Sequence, residues 1–167
     1  MAIIADAIHK ISDFANKICC VLCVAALVAM VIMTGVQIIF RLFIDALSWS
    51  EEITRYLLIW STFIGGSIVY KYKGHIAVAL LHDHCPPLLR KILTVFVHLV
   101  CGAFCTVAVI YGFRYMGLQG RQLSAAARIP MRYMYMAIPV GFLVMDLHIL
   151  DAIVQQFVKK DGEALSE

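Results

Sequence analysis

The polar residues that could do chemistry here are few, and they are set in apolar sequence. The densest group is Ser48-Trp49-Ser50-Glu51-Glu52-Ile53-Thr54-Arg55-Tyr56-Leu57-Leu58-Ile59-Trp60, which leads into an uncharged run at 61–70. Charges at the mouth of an apolar helix are costly to desolvate, so they need a partner or a task. Glu51 and Arg55 are four residues apart and can pair on one helix face. Ser48 and Glu51 fit the S-x-x-E capping box, which predicts a helix start at Ser48. The face of Glu51 and Arg55 continues through Leu58, Thr62, Gly65 or Gly66, and Val69. Small and polar residues on one stripe predict packing against protein, with the other faces toward lipid.

Other groups are weaker. Cys20 and Cys23 have the spacing of half a zinc site, but a second pair is missing and both lie in an apolar run, where cysteine acts as a small hydrophobe. Cys19, Cys101 and Cys105 are placed similarly, and Cys85 has no loop partner, so no disulfide is expected. His75, His82 and His84 have Asp83 as their sole acidic neighbour and read as solvated side chains. No catalytic constellation and no cofactor site emerge, and the chain does not read as an enzyme.

These residues are positioned by long apolar segments. The chain has 167 residues, 62% hydrophobic and 15% charged, with a mean hydropathy of +0.87. A soluble domain is about half apolar and a quarter charged. The fold class expected is an all-α integral membrane protein in the lipid bilayer, with four transmembrane helices and short interfacial amphipathic helices. A net charge of +3, thinly spread, excludes a nucleic-acid partner. Residues 1–17 read as an amphipathic interfacial lead, with Ile4, Ile8, Ile11 and Phe14 on one stripe. The spans expected are 18–40, 49–72, 92–113 and 131–158, followed by a polar tail at 159–167. The first is about 34 Å long, enough to cross, and its length argues against a cleaved signal peptide. Arg41 and Asp45 follow it and can pair. Residues 74–87 read as a connector with a surface-lying turn of helix. The third helix is expected to run on past the membrane through 114–127, and Pro139 to kink the fourth. There is no pair of interrupted apolar segments of the kind that marks a transporter's own substrate site, so the chain reads as a transporter's partner.

The pattern Trp49-x-Glu51-Glu52-x-x-Arg55-Tyr56-x-x-x-Trp60, then Phe63-x-Gly65-Gly66, Gly74-His75-Ile76 and the late Arg128-Ile129-Pro130, resembles the small membrane subunit, DctQ type, of the tripartite ATP-independent periplasmic (TRAP) transporters. The likeness extends to length and helix number. It implies a larger membrane subunit that carries the substrate and sodium sites, a periplasmic substrate-binding protein, and uptake of a small organic anion such as a sialic acid or C4-dicarboxylate. The small subunit would be a fixed scaffold in the bacterial inner membrane that helps to dock the binding protein. The resemblance puts Trp49, Glu51, Glu52, Arg55, Trp60, Gly65 and Gly66 at the subunit interface.

Of the 14 Lys and Arg residues, eight fall on the side of the termini and six on the other, which favours cytoplasmic termini. The resemblance points the same way. Arg114, Arg121, Arg128 and Arg132 then form a periplasmic rim suited to an acidic face of the binding protein. Counting residues along spans three and four puts His98 and Asp146 at matching depth and predicts that they approach each other or share a partner. A reading from another class is a haem-binding membrane anchor of a respiratory enzyme, with His98 and His148 as ligands.

Overall fold

In hydrocarbon a backbone N–H or C=O finds no water, so long uncharged runs are driven into helices that satisfy themselves. The computed structural model describes residues 2–43, 47–72 and 87–163. It contains α1 (Ala2–Phe43), α2 (Ser48–Lys71), α3 (Pro87–Leu118), a single turn α4 (Arg132–Tyr135) and α5 (Ala137–Glu163). The protein is all-α, and the described residues hold no strand, only an isolated antiparallel bridge between Leu123 and Pro130. Three segments are long and apolar enough to cross a membrane, Ala5–Phe43, Ile92–Leu118 and Arg132–Gln155. α2, less apolar, has 24 residues and reaches about 36 Å, long enough to cross. The connector with His75, His82, His84 and Cys85, the Gly74-His75-Ile76 segment and Asp45 lie outside the described residues.

α5 is the hub and packs against α1, α2 and α3, while α1 also lies along α2. Two glycines let helices close in. A Cβ added at Gly141 would sit 2.7 Å from Phe63 Cβ, and one at Gly112 would sit 3.0 Å from Pro139 Cδ. Phe63, Phe142 and Phe104 join α2, α5 and α3 edge to face, each pair of centroids 5.7 Å apart. Tyr70, Cys105 and Ile149 form the buried cluster, with Cys101, Phe142, Met145 and Ile153 against it. The core is thin, and large apolar side chains such as Val31, Phe96 and Phe104 point outward, as a lipid solvent allows.

Several expectations change. Residues 2–17 are continuous with the first span in one helix of 42 residues. Its inward face there is polar: Ser12 and Asn16 are buried while Ile11 and Phe14 face out. α2 does begin at Ser48, but its N-cap is Leu47, which makes no side-chain cap. Ser50 instead donates to the Leu47 carbonyl, through its N–H at 3.1 Å and its hydroxyl at 3.2 Å. α3 stops at Leu118, and 119–131 fold back as a short hairpin. The interruption ahead of Pro139 falls at Met136, so Pro139 sits in the first turn of α5, where a missing N–H costs nothing. The stripe Glu51, Arg55, Leu58, Thr62, Gly66 and Val69 is the exposed face of α2 within the chain. The small residues facing inward are Ser50, Ser61 and Ser67.

Candidate functional site

Polar chemistry gathers at the two ends of α2. At its start, Glu52 reaches across to the 119–131 hairpin. Its Oε2 accepts the N–H of Ala127 at 2.7 Å and of Ala126 at 3.0 Å. Its Oε1 accepts the Tyr56 hydroxyl at 2.7 Å. Successive N–H groups that converge on one oxygen form a small anion-binding nest. The hairpin makes this nest with its own ties: Ser124 N–H to Ile129 O at 2.9 Å and Met131 N–H to Gln122 O at 2.8 Å. Ser124 Oγ accepts the Ile129 N–H at 3.1 Å. Arg128 supplies the left-handed residue of the turn, with φ 52°. Glu52 lies ahead of the uncharged stretch of α2, at the mouth of the helix.

Further contacts fix this end. The Trp60 indole N–H donates to the Tyr133 carbonyl at 3.2 Å. Tyr115 of α3 and Tyr135 of α4 meet edge to face at 4.9 Å. Arg132 stacks over the Tyr133 ring at 5.0 Å. Arg114, Arg121, Arg128 and Arg132 are all exposed, and Arg121 and Arg128 ride on the hairpin that Glu52 holds.

The interface set named from sequence therefore divides. Glu52 and Trp60 are engaged within the chain, and Gly65 faces Cys23, whose Sγ would lie 3.9 Å from an added Cβ. Trp49, Glu51, Arg55 and Gly66 are exposed. No Glu51–Arg55 ion pair forms among the described residues. Glu51 instead lines a hollow of about 90 Å³ with Gln37 and Arg41.

At the other end of α2, Lys71 joins three helices. Its Nζ donates to Ser12 Oγ at 2.6 Å, Asp13 Oδ1 at 2.7 Å and Asp151 Oδ2 at 2.9 Å, which uses all three donors. The His9 ring lies between the two acids, Nδ1 3.1 Å from Asp151 and Nε2 3.4 Å from Asp13. Ser12 Oγ also lies 2.8 Å from His148 Nδ1. The other ring nitrogen of His148 is Nε2. That atom and Asn16 Oδ1 are buried without a partner among the described residues. The Lys71 hydrogen bond holds the Asp13 carboxyl, in the polar lead, below its ordinary value. Sequence reasoning noticed Asp13, Lys71, His148 and Asp151 one at a time. The signal that could have joined them is that each lies where its apolar run meets polar sequence on the side of the termini.

His98 and Asp146 are not brought together. His98 Nδ1 bonds the Thr94 carbonyl of its own helix at 2.7 Å, and its ring meets Tyr70 edgewise. Asp146 accepts from Thr106 at 3.1 Å. Thr106 is eight residues beyond His98, about 12 Å along α3, so the two acid–base groups sit at different depths. The haem reading finds no support: His148 turns to Ser12 on α1 and His98 to Thr94. The five described cysteines are free thiols, and no group of three His, Cys, Asp or Glu among the described residues could hold a metal. A mainly apolar cavity of about 230 Å³ opens between α1, α2 and α5, lined by Cys19, Trp60, Ser67 and Gly141 among others.

Over residues 30–159 the chain matches the family model described as tripartite ATP-independent periplasmic transporters, DctQ component. It is 31% identical over 97 residues to a TRAP transporter small permease protein of Haemophilus influenzae, covering 56% of this chain and 60% of that one. A second small permease protein of that organism is 27% identical over 130 residues, 77% of this chain and 78% of the relative. The isethionate TRAP transporter permease protein DctMQ of Oleidesulfovibrio alaskensis is 27% identical over 113 residues, 65% of this chain but 17% of the relative.

Proposed function

Since the chain belongs to the DctQ component family of the tripartite ATP-independent periplasmic transporters, we propose that it is the fixed scaffold of such a transporter. It stands beside a larger membrane subunit and presents a docking surface to a periplasmic substrate-binding protein. The transporter takes up a small organic anion of the sialic acid or C4-dicarboxylate class, coupled to sodium. Support for the membrane partner comes from the DctMQ relative, in which the matching segment is part of a much longer permease.

The observation that carries the docking role is the Glu52 nest. It ties down the hairpin that carries the exposed Arg121 and Arg128, and Arg114 and Arg132, exposed as well, lie on the helices before and after that hairpin. A fixed cluster of like charges steers an acidic partner and speeds encounter. The exposed Trp49, Glu51 and Arg55 flank this rim and complete the contact surface at the mouth of α2. With termini in the cytoplasm, this end of the bundle faces the periplasm and the Lys71 network lies at the inner face.

The test is uptake by the assembled transporter with Arg121→Glu and Arg128→Glu together. Lower uptake, with its salt dependence flattened and the large subunit still bound, supports docking at this rim. Unchanged uptake and unchanged salt dependence would remove it.

A further inference from the structure

Asp146 belongs to neither polar end. It lies five residues before Asp151, about 7.5 Å from the Lys71 network toward the bilayer centre. Its Oδ2 accepts from the Thr106 hydroxyl at 3.1 Å, and its Oδ1 has no partner among the described residues. This bond joins the exposed Thr106 of α3 to α5; Leu143 and Leu150 on α5 and Val107 and Ile110 on α3 are exposed as well, while the buried Tyr70 and Cys105 lie within electrostatic reach on the inner side of Asp146. An aspartate is too short to carry its charge over that distance to water, as a lysine or arginine would. A half-buried carboxylate with one oxygen left over at this depth is costly, and such groups face protein or a wet cavity.

The outer face of α2 makes no comparable demand. The Thr62 hydroxyl donates to the Leu58 carbonyl of its own helix. Gly66 has open space around it. From Leu58 to Val69 that face can sit in lipid as it stands, whereas the Asp146 seam cannot.

We infer that the α3–α5 seam is covered by a transmembrane helix of the larger membrane subunit, which brings a hydrogen-bond donor, cationic or amide, to Asp146 Oδ1. The occupant follows from charge complementarity: the seam offers an acceptor and needs a donor. The inference rests on the proposal that this chain works beside such a subunit, and it names the face that meets it.

The experiment uses the full tagged chain in the membranes of the cell that makes it. A photoreactive residue is placed at Leu143 or Leu150 on the seam, and at Leu58 or Val69 on α2. The expected result is an adduct with the large subunit from Leu143 and Leu150, and lipid adducts from Leu58 and Val69. Asp146→Asn keeps recovery of the large subunit, and Asp146→Leu lowers it roughly threefold, as loss of one interhelical hydrogen bond in a membrane does. Should Asp146→Leu fail to accumulate, the adducts on the chain with Asp146 intact decide. Adducts from Leu143 and Leu150 with lipid or with a second copy, while the large subunit still co-purifies, overturn the inference alone. Absence of a large subunit from the purified sample overturns the proposed function with it.

Discussion

Glu52 shows how a single side chain can organise residues more than seventy positions away. Its carboxylate is the acceptor for two hairpin N–H groups and one phenol, so removing it frees the hairpin without opening the bundle. In Glu52→Ala the hairpin should become the first site of tryptic cleavage, at Arg121 or Arg128, several-fold faster than in the parent, since loosely held loops are cut first. The melting temperature in detergent should hold. Lys71 gives the opposite behaviour. Asp151 is 6% exposed and Lys71 13%, so Lys71→Met strands a buried acid and should cost about 3 kcal/mol, read as a lower melting temperature. Lys10→Met, which breaks the exposed tie to Asp6, should leave it unchanged. Asp13 adds a pH dependence. Its folded value is depressed, so its contribution is complete above about pH 4 and is lost as pH falls through the lowered value. Acid should therefore lower the melting temperature of the parent more than that of Lys71→Met. These roles could not be read in sequence. The stretch around Glu52 was visibly special, but its partners are backbone amides of an Ala-rich loop with no signature.

Among elements, the long helices were legible because each contains an uncharged run bounded by charge, and a membrane leaves such runs no alternative to helix. What the runs do not carry is rotation about the helix axis. The stripe through Arg55, Thr62 and Gly66 is chemically the least apolar side of α2, yet the side facing α1 and α5 is the one with Ser61, Ile64 and Ser67. The same gap explains Gly65 and Gly66, singled out for close packing, while the tight approach is at Gly141 against Phe63. Gly141→Leu should therefore destabilise by about 2 kcal/mol through overpacking, and Gly66→Leu should not, in a melt of the detergent-purified chain. The lead at 2–17 carries the same gap. Its amphipathic pattern was visible, but not that its polar stripe is the one buried within the chain, where Lys71 and Asp151 offer it partners.

For the whole molecule, the arrangement separates a rim of arginines at one end from a charge network at the other. The family and the membrane architecture were recoverable from spaced residues that no propensity scale would weigh, Trp49, Glu51, Glu52, Arg55 and Trp60 together. The Asp146 seam was not recoverable, because counting residues along the spans pairs Asp146 with His98, whereas α3 and α5 meet in a register about 12 Å away, at Thr106. If the rim steers docking, raising salt from low to physiological strength should slow binding-protein association with the parent complex by several-fold, as screening predicts. The Arg121→Glu, Arg128→Glu complex should show a much smaller change in stopped-flow binding.

Glu52 and Lys71 are nineteen residues apart on one helix, about 29 Å, which is close to the thickness of a hydrocarbon core. Each is bonded to other parts of the chain, so α2 cannot tilt or slide to suit a different bilayer without breaking one of them. The helix is thus a ruler cut to one membrane. In thicker or thinner lipids the mismatch falls on the hairpin or on the α1 lead, and transport should be best in vesicles whose acyl chains match that length.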